Sequence, residues 1–215
     1  MAEKTPAMAK GAKGKIYDAG LFIPNDYFCR ANNAEIFPRN APLEIDLGCG
    51  DGAFLIAMAK KFPEHNFLGV ERLLGRVRKV ARDICQAGLT NAKVLRLESQ
   101  YTVEWLLEKH SVTRLHLLCP DPWPKAKHHE RRLVQHDFLQ ALWDLLENNG
   151  EFLFKTDHDE YYEWVCEEVK KFARFTEVPW NENDFFYPKT DFQLLWESQG
   201  KRLQSLRCVK QENHA

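Results

Sequence analysis

From about Pro42 onward the chain alternates short apolar stretches with longer amphipathic ones. Apolar runs of this length bounded by turn residues fit strands, and the spacing predicts them over 43–47, 66–70, 93–97, 115–119 and 151–155. Apolar positions recurring every three or four residues predict helices over 52–61, 75–87, 102–109, 133–147 and 160–172. Pro63 and Gly88 stop helices, and Asn148, Asn149 and Gly150 supply a left-handed helix end before the next strand. Strands and helices taking turns mean a mostly parallel sheet with helices on both faces, an α/β Rossmann-like fold. Beyond Val178 the pattern weakens to strands at 177–180 and 204–209, separated by a loop that holds Pro188, Lys189 and Thr190.

Composition narrows this little. With 215 residues, 44% hydrophobic and 28% charged, the chain builds a full core as one domain, expected over 21–215. A flexible basic tail is expected over 1–20, where Lys4, Lys10, Lys13 and Lys15 sit among Gly and Ala. No apolar run approaches the roughly 20 residues needed to cross a bilayer, so the expectation is a soluble, cytoplasmic protein. None of the six cysteines forms a Cys-x-x-Cys pair, and His128-His129-Glu130-Arg131 lacks the second histidine of a zinc helix; no metal is expected. Monomer and homodimer both remain open. The net charge of −1 hides two basic clusters: Lys125, Lys127, His128, His129, Arg131 and Arg132, and Arg72, Arg76, Arg78, Lys79 and Arg82.

Candidate chemistry begins at Glu44-Ile45-Asp46-Leu47-Gly48-Cys49-Gly50-Asp51-Gly52, a strand that turns through glycines into a helix. Gly48 and Gly50 allow a tight turn and close approach to a ligand. Glu71 ends the second strand, where a carboxylate accepts both hydroxyls of a ribose. The dinucleotide fingerprint wants a third glycine where Ala53 stands, which weakens a nicotinamide cofactor. Glu44 or Asp46 before the glycines suits a cationic ligand end better than a pyrophosphate. Glu98 after the third strand either meets an adenine amino group or is a solvated residue ahead of a helix. Acidic strand ends point to a ligand without phosphates, such as S-adenosylmethionine.

The fourth strand leads into Pro120-Asp121-Pro122-Trp123-Pro124-Lys125. Three prolines in five residues stiffen this loop before anything binds. Ligands of open parallel sheets sit beyond the carboxyl ends of the strands, so Asp121 arrives beside the cofactor, and Trp123 offers a stacking face. The segment DPWPKAKHHERRL, from Asp121 to Leu133, is similar to the DPWPKKRHxKRRL of the bacterial tRNA (guanine-N7-)-methyltransferases. DLGCGDG and Lys155-Thr156-Asp157 are consistent with that family, and the likeness runs from about Leu43 to Gly200. The resemblance implies an S-adenosylmethionine-dependent methyltransferase fold with tRNA as partner. It implies that Glu44, Glu71, Glu98 and Asp121 contact the cofactor or its surroundings, and that Lys125, Asp157, Thr190, Asp191, Phe192 and Gln193 contact the RNA. The family motif Thr-x-Phe/Tyr-Glu ends here in Gln193, which keeps an acceptor oxygen, loses the charge and gains two donors.

Guanine N7 carries an in-plane lone pair and no proton, so attack on a methyl group needs alignment and no general base. Asp121 is accordingly expected to orient the base and stabilise the positive charge that methylation leaves. Asp157 is placed to hold the base edge or to cap the following helix. The runner-up is an amino methyltransferase acting on adenine or a protein glutamine, and a non-catalytic RNA-binding protein is a further class. The basic run after the loop would engage phosphates through Lys125, Lys127, Arg131 and Arg132.

Overall fold

The computed structural model describes residues 18–181 and 185–211. Its strands are β1 (Leu21–Phe22), β2 (Leu43–Leu47), β3 (Asn66–Glu71), β4 (Ala92–Arg96), β5 (Val112–Leu118), β6 (Leu146–Thr156), β7 (Phe175–Val178) and β8 (Gln204–Lys210). Its helices are α1 (Asn33–Ile36), α2 (Ala53–Lys61), α3 (Leu74–Gln86), α4 (Ser99–Tyr101), α5 (His136–Leu145), α6 (Asp159–Phe172) and α7 (Asp191–Ser198). The strands form one sheet in the order β1-β4-β3-β2-β5-β6-β8-β7. Strands β1 to β6 run parallel, while β8 is antiparallel to both β6 and β7. The order reverses between β2 and β5, which opens a crevice at their carboxyl ends.

Helix α3 ends as its sequence predicts. Gly88 takes φ 65°, and the Gly88 and Leu89 amides close onto Cys85 and Ile84 at 3.1 and 3.2 Å. The turn at 148–150 behaves differently: Asn149 is the left-handed residue, and it lies inside β6, where pairing with β5 shifts register between Val112 and Arg114. Helix α5 starts only at His136, because residues Ala126–Arg131 form a 3-10 turn first. The helix expected over 102–109 is instead the short α4 followed by a π turn over Thr102–Leu106. Gly20, expected within the flexible tail, is buried; a Cβ there would meet the Ala81 carbonyl oxygen at 2.4 Å.

Helix α7 stands where the sequence suggested only a loop. Its signal was present: Thr190 and Gln193 form the first and last positions of a capping-box pattern, and the Thr190 hydroxyl accepts from the Gln193 amide at 3.0 Å.

Two apolar clusters cover the two faces of the sheet. One gathers Ile45, Leu68, Leu115, Phe152 and Phe154 with α5 and α6. The other joins Phe67 and Val94 to α2 and α3. On this second face, beside α2, β2 and β5 carry polar side chains inward. Glu44, 1% exposed, accepts from His116 Nε2 and from His65 Nδ1, both at 2.7 Å. Burial lowers the pKa of His116, so the imidazole is neutral, and its Nδ1 accepts from the Tyr187 hydroxyl at 2.8 Å. Tyr187 also packs on Phe54 and, with Trp180, on the Lys155 ammonium. Phe185 stacks on Arg114 and Arg207. A loop of aromatic residues over cations thus does on this half of the face what a helix does elsewhere. Replacing Tyr187 by Phe strands the buried Nδ1 of His116, and urea denaturation should show a stability loss of about 1–3 kcal/mol with the fold retained.

Candidate active site

At the carboxyl end of β2 the chain turns back over the sheet, and the Gly48 and Cys49 amides both donate to the Val70 carbonyl, at 2.9 and 3.0 Å. Gly69 makes this possible: a Cβ there would lie 2.9 Å from the Cys49 sulfur and 2.7 Å from Leu55. Gly48 and Gly50 adopt φ 80° and 57°, with no atom within 4 Å of a Cβ on Gly48 and only the Gly48 carbonyl, at 3.9 Å, near one on Gly50. The loop therefore presents open backbone to a ligand.

Five carboxylates stand along the rim, one from each of five neighbouring strands: Glu98 after β4, Glu71 on β3, Asp46 on β2, Asp121 after β5 and Asp157 after β6. Asp46 is 4% exposed and its Oδ2 has no hydrogen-bond partner. Burial, with the Asp51 and Glu71 charges nearby, pushes its pKa up to about 7. Glu71, also buried, accepts from the Leu73 amide at 2.7 Å and has Arg76 at 3.6 Å. Glu98 is exposed and caps α4, accepting from the Gln100 and Tyr101 amides at 3.1 and 2.8 Å. Each of its oxygens keeps a further lone pair.

The sequence leaves Glu44 and Asp46 open, and the family resemblance implies Glu44. The structure corrects that choice. Both oxygens of Glu44 are taken by imidazoles, with Arg114 at 3.7 Å. Burial raises its pKa, but the hydrogen bonds from His116 and His65 outweigh that and hold it at about 2. Glu44 is committed to the interior, and Asp46, two residues further along the same side of β2, is the carboxylate without a partner.

Asp121 lies exposed on the loop after β5. Cys119 and Trp123, on either side of it, have φ of 50° and 44°, a left-handed conformation that costs non-glycine residues about 1–3 kcal/mol each. The Cys119 amide donates to the Lys155 carbonyl at 2.8 Å, tying the loop to β6. Burial and the Asp157 charge raise the Cys119 thiol to about 12, so it stays protonated. One face of Trp123 carries the Arg131 guanidinium at 5.1 Å, and His128 approaches edge-on at 5.9 Å. Asp157 is half-buried, and its cap reading fails: His158 caps α6, its Nδ1 accepting from the Tyr161 amide at 3.3 Å.

The basic run divides. Lys125, Lys127 and Arg131 are exposed, whereas Arg132 is 1% exposed, inside the protein. The C-terminal segment reaches the same rim. Gln193, 3% exposed, donates to Glu197 at 2.9 Å, and both line a cavity of about 540 Å³ with Lys155, Lys201, Arg202 and Ser205. Thr190 uses its hydroxyl to cap α7; of Asp191 and Phe192 only the backbone lies among the described residues.

A doubly wound sheet with acidic strand ends and an open glycine turn defines an S-adenosylmethionine-dependent methyltransferase. The residues fit that cofactor: Asp46 offers an unpaired buried oxygen to a cationic end, and Glu71 a carboxylate to a ribose. The 16S rRNA methyltransferase KamB shares the fold, with TM-score 0.62 and 16% identity over 84% of this chain and 94% of that one. A family described as "Putative methyltransferase" matches residues 40–206. The chain is 31% identical over 202 residues to the tRNA (guanine-N(7)-)-methyltransferase of Syntrophotalea carbinolica, covering 89% of this chain and 87% of that protein. It is 34% identical over 201 residues to that of Chromohalobacter salexigens, covering 93% and 80%. The chain belongs to the bacterial tRNA (guanine-N7-)-methyltransferase family.

The raised pKa of Asp46 has a readable sign. Below about pH 7 the free protein holds the carboxyl protonated, and a cationic ligand must displace that proton. Affinity for S-adenosylmethionine should therefore rise with pH through about 7 and level off above it. Calorimetry across this range on the wild type and Asp46→Asn tests the assignment: the variant should bind more weakly and without the pH step, and a step that survives removes Asp46 from the cofactor site.

Proposed function

We propose that this chain transfers the methyl group of S-adenosylmethionine to N7 of a guanine in tRNA, the variable-loop guanosine, forming 7-methylguanosine in the cytoplasm. The observation that carries this is the row of rim carboxylates. Five strands at roughly 4.8 Å spacing spread them over about 19 Å, enough for a nucleoside cofactor and a base side by side. Family membership supports the reaction. No helix among the described residues is long and apolar enough to cross a membrane.

When bound, S-adenosylmethionine supplies an electrophilic methyl group. The chain's residues do the rest. Gly48 and Gly50 admit the ligand to the backbone, Asp46 and Glu71 hold its cationic and ribose ends, and Glu98 faces the adenine. Asp121 accepts from the guanine and stabilises the positive charge that develops on it, acting as an orienter and not as a proton acceptor. Asp157 holds the base edge from β6. Lys125 and Lys127 engage phosphates, and α7, started by Thr190, brings Asp191, Phe192 and Gln193 to the RNA. The domain that performs this spans 21–215, behind the Lys-rich N-terminal segment.

Purified protein incubated with labelled S-adenosylmethionine and bulk tRNA should yield labelled 7-methylguanosine on nucleoside analysis; label on adenine would favour the amino methyltransferase reading instead. Asp121→Ala should fold and bind cofactor yet lose about a hundredfold in turnover, the scale of a misaligned reacting pair. Changing Lys125 and Lys127 together to Ala should reduce the slope of log K for tRNA against log salt by about 1.4–1.8, since each phosphate contact contributes roughly 0.7–0.9. An unchanged slope would remove both lysines from the RNA surface.

A further inference from the structure

A guanidinium is costly to bury, and Arg132 is buried completely within a run of exposed cations. Its Nε donates to the Pro122 carbonyl at 2.9 Å and its Nη2 to Glu160 at 3.1 Å. The guanidinium lies 5.2 Å from the Tyr161 ring and 5.0 Å from that of Trp164. Glu160, Tyr161 and Trp164 all belong to α6, which begins two residues after Asp157. Trp164 is itself fixed by donating to the Val134 carbonyl at 3.0 Å.

The other end of this contact is the loop that carries Asp121. Pro120, Pro122 and Pro124 remove three backbone donors from it. Among the described residues, the bond from Arg132 is the one hydrogen bond received anywhere over residues 120–124. Left-handed backbone at Cys119 and Trp123 persists only where surroundings hold it, and a loop without its own hydrogen bonds needs an outside anchor. Arg132 supplies one at the residue directly after Asp121.

We propose that Arg132 is a positioning residue for methyl transfer: through the Pro122 carbonyl it fixes the Asp121 carboxylate in relation to Asp157, and it does not bind RNA. This rests on the reading of Asp121 as the group that orients the guanine. A lysine at this position keeps the charge but lacks the rigid fork that donates to Pro122 and Glu160 together.

The test is Arg132→Lys alone, Asp121→Asn alone, and both together. Arg132→Lys should lower kcat by about tenfold to a hundredfold, as a displacement of up to 1 Å does, with cofactor affinity, tRNA affinity and tRNA salt slope unchanged. In the Asp121→Asn background the same change should cost little more, because residues acting as one unit are not additive. Losses that multiply, or an unchanged kcat, overturn the proposal. So does a salt slope smaller by about 0.7–0.9, which would put Arg132 on a phosphate. Should Arg132→Lys fail to fold by circular dichroism, Glu160→Gln removes the charge partner from the half-exposed side. A kcat loss that is non-additive with Asp121→Asn supports the proposal, and an additive loss or none overturns it. A wild-type protein that forms no 7-methylguanosine sinks the functional reading and this proposal with it; an active wild type with multiplying losses sinks the proposal alone.

Discussion

Two carboxylates buried on the same side of one strand set the conditions for the rest of the molecule. Glu44 and Asp46 are two residues apart on β2, so both side chains leave the sheet on the face that α2 shares. Burying a carboxylate without a partner is expensive, and the chain treats the pair in opposite ways. Glu44 receives two imidazoles and a nearby guanidinium and is fully ionised inside the protein. Asp46 receives none on its Oδ2 and has two further carboxylates nearby, so its ionisation is shifted up to about pH 7 and a positive charge from outside would favour it. The first arrangement builds the interior, and the second leaves an unpaired oxygen near the end of β2.

The interior arrangement also reaches the substrate side. Glu44 orients His116, His116 receives Tyr187, and Tyr187 lies three residues before Thr190, where α7 begins. A segment far along the chain is thereby anchored at the centre of the sheet by a short row of buried hydrogen bonds. Lys155 joins it, its ammonium held between Trp180 and Tyr187 while its backbone carbonyl holds the Asp121 loop at Cys119. The cofactor rim, the loop and the C-terminal cover are thus parts of one packed unit, and a rigid unit is what in-line transfer to an atom that needs no deprotonation requires.

Much of this was legible in the chain. Alternating periods placed β2 to β6 and α2, α3 and α6 within a few residues, because a sheet covered on both faces imposes apolar runs on every strand. The candidacy of Gly48 and Gly50 rests on a glycine turn between a strand and a helix, and that of Glu71 and Asp121 on the rule that ligands sit at carboxyl ends, which needs only the strand ends to be right. The motif at 121–133 carries the family resemblance by itself. Helix α7 carries a capping pattern at Thr190 and Gln193, but its neighbouring Leu194 and Leu195 are half-exposed and mark no single buried face, and Pro188 beside it suggests a loop.

What sequence alone determined, then, was the order of elements, the family and which residue types stand at the strand ends. Local patterns carry these, since period, turn chemistry and motif spacing all act over a few neighbouring residues. Tertiary structure decided which of two adjacent carboxylates faces the crevice and which of four neighbouring cations is buried. Glu44 and Asp46 look alike in sequence; only His65 and His116, 21 and 72 residues away, make one an interior anion. Arg131 and Arg132 are likewise consecutive and chemically identical, yet α6, arriving nearly thirty residues later, encloses the second and leaves the first in solvent. Desolvation depends on what packs around a group, and that is settled by contacts between segments distant in the chain, which no local pattern records.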